Sequence, residues 1–266
     1  MPEPRRVRTI FISDVHLGTR GCKAGDLLDF LRAHEAETLY LVGDIIDGWR
    51  LKRAWYWNTC HEAVIREILR KASNGTRVIY IPGNHDEILR GFLEEGAGGQ
   101  EFGGIVFRLD DIHELADGRR FLVTHGDHYD DFLRYGRLAC LLGGWAYSST
   151  LRVNDMLNWL RSRFGRNYWS LSDYLKTRLK NAARFIRKFE VTLAGEARSR
   201  GLDGVVCGHI HHAAVQTIGG VTYCNSGDWV ESCTALVETL TGEIGIVRWN
   251  RVQRQAAGAA GMPAAA

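Results

Sequence analysis

Five short blocks of metal-type ligands lie in order along the chain: Asp14-Val15-His16, Gly43-Asp44-Ile45-Ile46-Asp47, Gly83-Asn84-His85-Asp86, Thr124-His125-Gly126 and Gly208-His209-Ile210-His211. Each comes at or just after a short run of β-branched and other apolar residues, at positions 10–12, 39–42, 78–81, 121–123 and 205–207. Apolar runs of that length read as buried strands, and a sheet that ends each strand in a polar ligand delivers those side chains to one edge. Layered α/β folds bind ligands there, outside the carboxyl ends of their strands. The pattern therefore restricts the fold to a sheet-based α/β architecture with a shared polar rim.

The residue types fit two divalent cations. Two such ions about 3.5–4 Å apart can clamp a phosphoryl group and lower the pKa of a shared water. A carboxylate placed between them offsets their repulsion, and imidazoles with an amide oxygen complete the shells without adding charge that would repel a phosphate. The expected assignment puts Asp14, His16 and His211 on one ion and Asn84, His125 and His209 on the other, with Asp44 bridging. Any one piece alone is more often a solvated loop or a satisfied core residue. Five in order, each at a strand end, are not explained that way.

The ordered set resembles the calcineurin-like metallophosphoesterase superfamily over roughly residues 8–249. The resemblance implies a four-layer αββα sandwich with a helical insertion, with the same seven ligands matched position by position. It also implies that His85, after the asparagine, contacts the substrate phosphate or protonates the leaving oxygen. Asp86 is expected to orient that imidazole, and Asp47 to support a ligating histidine from behind, since such histidines need a partner on their other ring nitrogen. Ser13-Asp14-Val15-His16-Leu17-Gly18, the Asp47-Gly48-Trp49 continuation, and His125-Gly126-Asp127 followed by Asp130 and Asp131 look most like the UDP-2,3-diacylglucosamine pyrophosphatase branch. Enzymes of that branch usually carry arginine where this chain has His85. The resemblance implies manganese as the metal and a nucleotide-linked lipid as the substrate. The alternatives are a phosphodiesterase or phosphatase acting on a nucleotide, nucleic acid or other phospholipid, and a non-catalytic scaffold on the same fold.

With 266 residues, 45 % of them hydrophobic and 24 % charged, the chain suits one soluble enzyme domain, expected at residues 7–250. The six cysteines include no CxxC pair, which favours buried packing residues over disulfides or structural zinc. The N-terminal Met1-Pro2-Glu3-Pro4-Arg5-Arg6 has no apolar stretch behind it, and no run of 18 apolar residues exists, so a cytoplasmic location is expected.

Helices are expected at residues 26–34 and 55–71, the second closing at Asn74-Gly75. Hairpins are expected across Asp117-Gly118, Gly219-Gly220 and Thr241-Gly242, together forming a second sheet. Residues 251–266 are Ala/Gly-rich and expected to be disordered.

The helical insertion is expected at residues 129–200. Its segment 129–190 holds 12 Lys/Arg against 5 acidic residues, a net +7 in a chain whose total is +3, so the positive field is local. Ser172 is the expected N-cap of a helix whose apolar stripe is Leu175, Leu179, Ala182, Ile186, Phe189 and Leu193. Leu138 to Trp145, with Tyr147, Trp159, Phe164, Tyr168 and Trp169 among arginines, suits a cap that takes acyl chains and leans on the anionic cytoplasmic face of the inner membrane. Nucleic acid is the less favoured partner, because a pI near 8.5 is low for a nucleic-acid domain. The sequence leaves the oligomeric state open.

Overall fold

The computed structural model describes residues 3–94, 100–129 and 171–249. The apolar stretch of the insertion, its aromatic residues up to Trp169, Cys140 and the Ala/Gly tail lie outside the described residues. The chain divides into two compact units, residues 1–127 with 193–266, and residues 128–192. In the second unit the described residues are a short 3-10 turn at its start and most of the helix Leu171–Ser199, which runs on into the first unit. Ser172 lies inside this helix and not at its cap.

The first unit is built on strands that are apolar on both faces. Strands β1 (Arg5–Ile12), β2 (His34–Val42) and β3 (Arg77–Ile81) are parallel neighbours, with Ile10 opposite Leu39 and Leu39 opposite Val78. Ile10, Ile12, Leu39, Leu41, Val78 and Tyr80 point to one side and pack with Leu27, Phe30 and Leu31 of α1 (Ala24–Ala33) and Val64 and Ile68 of α3 (Thr59–Ser73). The alternate residues Phe11, Tyr40, Val42, Ile79 and Ile81 point to the other side. Continuous apolar runs follow from this double burial, and each fully buried side chain of this size contributes about 1.5–3 kcal/mol.

That second side faces another sheet. Strands β6 (Asp111–Glu114), β7 (Arg120–Val123), β8 (Gly204–Cys207), β9 (Ala214–Ile218) and β10 (Val221–Asn225) form a five-stranded sheet in the order β6-β7-β8-β10-β9. Phe121, Val123, Val206 and Cys224 meet Phe11, Tyr40 and Ile79 in the core between the sheets. The last turns of the long helix bury Leu193, Ala194 and Ala197, and Arg198 donates to the Gly219 carbonyl in the β9–β10 turn. Helices thus flank two sheets, as expected of the fold class.

Two of the three expected hairpins build the second sheet. The third does not: β11 (Thr234–Glu238) and β12 (Ile244–Arg248) pair across Thr241-Gly242, but β11 runs antiparallel to β1 in the first sheet. Ala235 and Val237 complete the helix-side core while Leu236 fills the inter-sheet core, so burial on both faces draws this strand beside β1. A short hairpin of β4 (Gln100–Phe102) and β5 (Ile105–Phe107) closes the opposite edge, giving seven strands.

Helix boundaries shift in places. His34 opens β2 instead of closing α1. Trp55, Tyr56 and Trp57 precede α3, which starts after Asn58, whose side chain accepts from the His61 N–H at 2.9 Å. The one-and-a-half-turn α2 (Gly48–Arg53) was not foreseen.

Candidate metal centre

The ligand-bearing loops are fastened to one another by backbone hydrogen bonds that continue the sheets past their last strand residues. Asp14 N–H donates to the Gly43 carbonyl at 3.1 Å, and Val15 and His16 N–H both donate to the Asp44 carbonyl at 3.0 and 2.9 Å. In the second sheet, Gly208 N–H donates to the His125 carbonyl at 3.2 Å, and Trp229 N–H reaches across to the Asp14 carbonyl at 3.1 Å. Asp14, Asp44 and Asn84 thus leave the ends of β1, β2 and β3, while His125 and His209 leave β7 and β8.

Turning so sharply puts ligand residues in left-handed backbone. Asp14, His16, Asp44, His209 and His211 have φ of 51°, 54°, 54°, 72° and 53°. Asp and His tolerate this region better than most residues, and non-glycine residues held there cluster at functional sites. Two glycines give the space. A Cβ on Gly43 would run into the His125 ring, and one on Gly83 into the Asp44 carboxylate.

The side chains converge on the two carboxylates. Asp44 Oδ2 lies 3.5 Å from His125 Nε2, 3.9 Å from His16 Nε2 and 4.0 Å from His85 Nε2. Its other oxygen accepts from the His85 N–H at 2.8 Å. Asp14 Oδ1 is 3.2 Å from His211 Nε2, and Asp14 Oδ2 accepts from Ser13 Oγ at 2.5 Å and from the His209 N–H at 2.9 Å. The ring of His209 sits edge-on to His125 with centroids 5.3 Å apart. Among the described residues three groups have ligand atoms all within 4.8 Å of one another: Asp14 with His16 and His211, Asp14 with Asp44 and His125, and His16 with Asp47 and His85. His125 Nδ1 contacts the Val42 carbonyl at 2.9 Å, which leaves Nε2 to face the carboxylates.

Residues that fit a cation are marked by what they leave unsatisfied. Asp14 Oδ1, His16 Nε2, Asn84 Oδ1 and His125 Nε2 are buried without a hydrogen-bond partner. Buried polar atoms are almost always paired, and the orphans on Asp14, His16 and His125 lie among the carboxylate–imidazole contacts, which suits metal coordination. The charges agree. Burial alone would drive His125 and His211 toward the neutral form, yet Asp44 and Asp14 beside His125, and Asp14 beside His211, raise them to about 10 and about 9. Burial would likewise raise the two carboxyls, but His211 beside Asp14 and His125 beside Asp44 hold both below the ordinary range.

A pH dependence follows. In the metal-free protein the raised imidazole values stabilise the fold fully below the ordinary 6.5, a contribution lost as pH rises through about 9 and 10. Metal ligation needs the neutral imidazoles and releases those protons. If His125 and His211 hold metal, the rise in melting temperature produced by a divalent ion such as Mn2+ should therefore grow between pH 6.5 and 9. A constant rise across that range, read by differential scanning fluorimetry, would rule out these histidines as ligands.

His85 is placed differently from the sequence expectation in one respect. Asp47, not Asp86, faces its ring: Asp47 Oδ1 is 3.1 Å from His85 Nδ1 and Oδ2 is 3.4 Å from His16 Nδ1. Burial would lower the His85 pKa, but Asp47 and Asp44 raise it above its ordinary value. Asp86 instead folds back into its own loop. It accepts from Tyr80 Oη at 2.6 Å, from the Ile45 N–H at 3.0 Å and from the Gly83 N–H, which leaves it holding the Asn84 turn against the Asp44 loop.

Three supports were not foreseen. Arg90 makes two 2.7 Å bonds to Asp127 and a third to the Pro82 carbonyl, tying the loop of Asn84 to the loop of His125. Trp49 lies over His85 with ring centroids 4.1 Å apart, and its Nε1 donates to Glu87 at 3.2 Å. Buried Asp228 accepts from the N–H groups of Val230, Glu231 and Ser232, which fixes the loop that carries Trp229 to Asp14. Asn225-Ser226-Gly227-Asp228 follows an apolar run as the ligand blocks do, so its position was visible in the sequence although it lacks a histidine.

The model of the calcineurin-like phosphoesterase family matches residues 7–213. A UDP-2,3-diacylglucosamine hydrolase of Xanthomonas campestris pv. campestris is 28 % identical, the alignment covering 86 % of this chain and 94 % of the relative. One from Neisseria meningitidis serogroup B is 25 % identical over 82 % of this chain and 88 % of the relative. Among solved structures, a hypothetical protein of Pyrococcus horikoshii OT3 aligns with a TM-score of 0.48 at 7 % identity, covering 97 % of this chain and 95 % of that one. The chain belongs to the calcineurin-like phosphoesterase family and is a hydrolase of phosphate esters.

Proposed function

We propose that the protein hydrolyses UDP-2,3-diacylglucosamine to UMP and 2,3-diacylglucosamine 1-phosphate, using two divalent ions, Mn2+ in the first place. The observation that carries the metal chemistry is the convergence of three imidazoles on Asp44 Oδ2 beside the orphaned buried atoms of Asp14, His16 and His125. The substrate rests on the two relatives named for that hydrolase activity and aligned over most of their length. Asp14, His16 and His211 would hold one ion, Asn84, His125 and His209 the other, and Asp44 both. When bound, the ions supply positive charge against the phosphate and acidify water enough to attack it near neutral pH.

The chain's own residues do the rest. Asp47 Oδ1 lies 3.1 Å from Nδ1 of His85, so that the opposite nitrogen, on the Asp44 side, is the one placed to hand a proton to the leaving oxygen. Trp49 closes one face of that ring and limits where the imidazole can swing. The basic insertion, with its apolar and aromatic residues, is read as the part that takes the acyl chains and meets the cytoplasmic face of the inner membrane. Among the described residues no helix is long and apolar enough to cross a membrane.

The test is hydrolysis of the UDP-lipid beside UDP-glucose, bis-p-nitrophenyl phosphate and a cyclic nucleotide, with manganese supplied. Each buried methylene is worth about 0.8 kcal/mol. The diacylated substrate should therefore exceed UDP-glucose in kcat/KM by at least about 100-fold. Comparable values would favour the second reading, a phosphodiesterase or phosphatase on another nucleotide, nucleic acid or phospholipid. His85 supports that alternative, since it stands where the lipid enzymes usually carry arginine.

A further inference from the structure

One surface beside the metal centre is not explained by hydrolysis or by the fold. Residues 48–57 read Gly-Trp-Arg-Leu-Lys-Arg-Ala-Trp-Tyr-Trp, three cations and three indoles without an acidic residue. The first six residues form α2, which buries none of its side chains. Tyr56 and Trp57 turn inward: both stand edge-on to the His61 ring, at 5.6 and 5.3 Å, and Trp57 packs on the helix-side core. The guanidinium of Arg20 covers the Tyr56 ring at 5.1 Å. Trp55 turns outward and is 76 % exposed. Ile88, next to the Glu87 that holds Trp49, is 58 % exposed.

We infer that residues 48–57, with Arg20 and Ile88, are a docking face for an anionic lipid bilayer, which would seat the metal centre at the lipid–water interface. The composition is the one such an interface selects. Indoles sit at headgroup depth, and Lys and Arg lay their aliphatic stems along apolar surface while their charges reach anionic headgroups. Two other occupants fit less well. The insertion of the same chain carries a net +7 over residues 129–190, so its charge opposes a cationic face. A single-stranded nucleic acid stacks successive bases on open aromatic faces. Here the Tyr56 face is already covered by Arg20, and Trp57 is anchored inward, which leaves Trp55 as the one widely exposed ring of the three.

Continuity with the site sets the geometry. Asp47 caps α2 by accepting from the Arg50 N–H at 2.8 Å, and the same carboxylate contacts His16 and His85. The face therefore begins one residue from the centre's own support. Such a face makes sense for a lipid-linked substrate and rests on that reading, whereas the binding test needs neither substrate nor metal.

The full-length protein is to be sedimented with phosphatidylcholine vesicles and with mixed phosphatidylcholine–phosphatidylglycerol vesicles at low and physiological salt. Each cation near an anionic surface is worth about 1 kcal/mol, so Arg50→Gln, Lys52→Gln and Arg53→Gln together should weaken binding to the mixed vesicles about 100-fold. At vesicle concentrations that saturate both proteins, Trp55→Phe should remove part of the indole fluorescence that brominated acyl chains quench in the wild type. Unchanged vesicle binding in the triple variant together with unquenched Trp55 would overturn the inference. So would loss, in the same variants, of salt-dependent RNA binding or of a dimer while vesicle binding persists. Hydrolysis of the UDP-lipid dispersed in detergent is a separate readout: its failure would overturn the substrate reading and leave vesicle binding as the measure of the face.

Discussion

Asp44→Ala is expected to abolish turnover and to strip the centre of metal. The carboxylate touches three imidazoles through one oxygen and receives the His85 N–H through the other, so its loss removes negative charge from the middle of the site and frees the Asn84 turn at once. Losing a group that merely supports a ligand costs about 10–100-fold in metal affinity or activity. Removing a carboxylate that would touch both ions should exceed that, by at least about 10³-fold in kcat/KM. Asp44→Asn separates shape from charge: it preserves the side-chain volume and should still lose most of the metal. Metal content by plasma mass spectrometry and turnover of bis-p-nitrophenyl phosphate are the measurements. Near-wild-type activity with two metals still bound per chain would sink the assignment.

His85→Ala should behave in the opposite way with respect to metal. His85 Nε2 is 4.0 Å from Asp44 but its ring is only partly buried, and Nδ1 lies 3.1 Å from Asp47 Oδ1. Turnover should fall by about 10²–10⁴ with metal content unchanged, the range expected when a proton donor is lost. The loss should be largest for substrates with poor leaving groups and smallest for p-nitrophenyl esters, whose leaving group needs little protonation. Loss of metal together with activity would make His85 a ligand or a structural support instead.

Much of this was legible in the sequence, for a physical reason. Strands buried on both faces must be continuously apolar, and phosphate-clamping cations admit few ligand types, so both signals survive in one dimension. Gly118, Gly220 and Gly242 marked the hairpins because their left-handed backbone favours glycine. Turn chemistry says which strands pair, however, and not which sheet receives the pair. The β11–β12 hairpin went to the first sheet because Ala235, Leu236 and Val237 are buried on both faces, a property of the partner strands as much as of its own. α2 was invisible because a helix that buries nothing has no apolar periodicity to read. The exchange of Asp47 for Asp86 behind His85 has the same origin: both aspartates lie near the histidine in space, and only the loop conformation decides which carboxylate turns to the ring and which turns to backbone N–H groups.

The left-handed backbone at Asp14, His16, Asp44, His209 and His211 has a consequence for directed evolution of this enzyme. Residues in such conformations cost the fold of order 1–3 kcal/mol each, and glycine or asparagine would relieve part of it. Selection for heat resistance alone would thus draw these five positions toward glycine and asparagine, raising the melting temperature of metal-free protein while emptying the centre. A stabilisation campaign should hold the five fixed, or select in the presence of a divalent metal, where the proposed ligation would offset the strain that the bare chain carries.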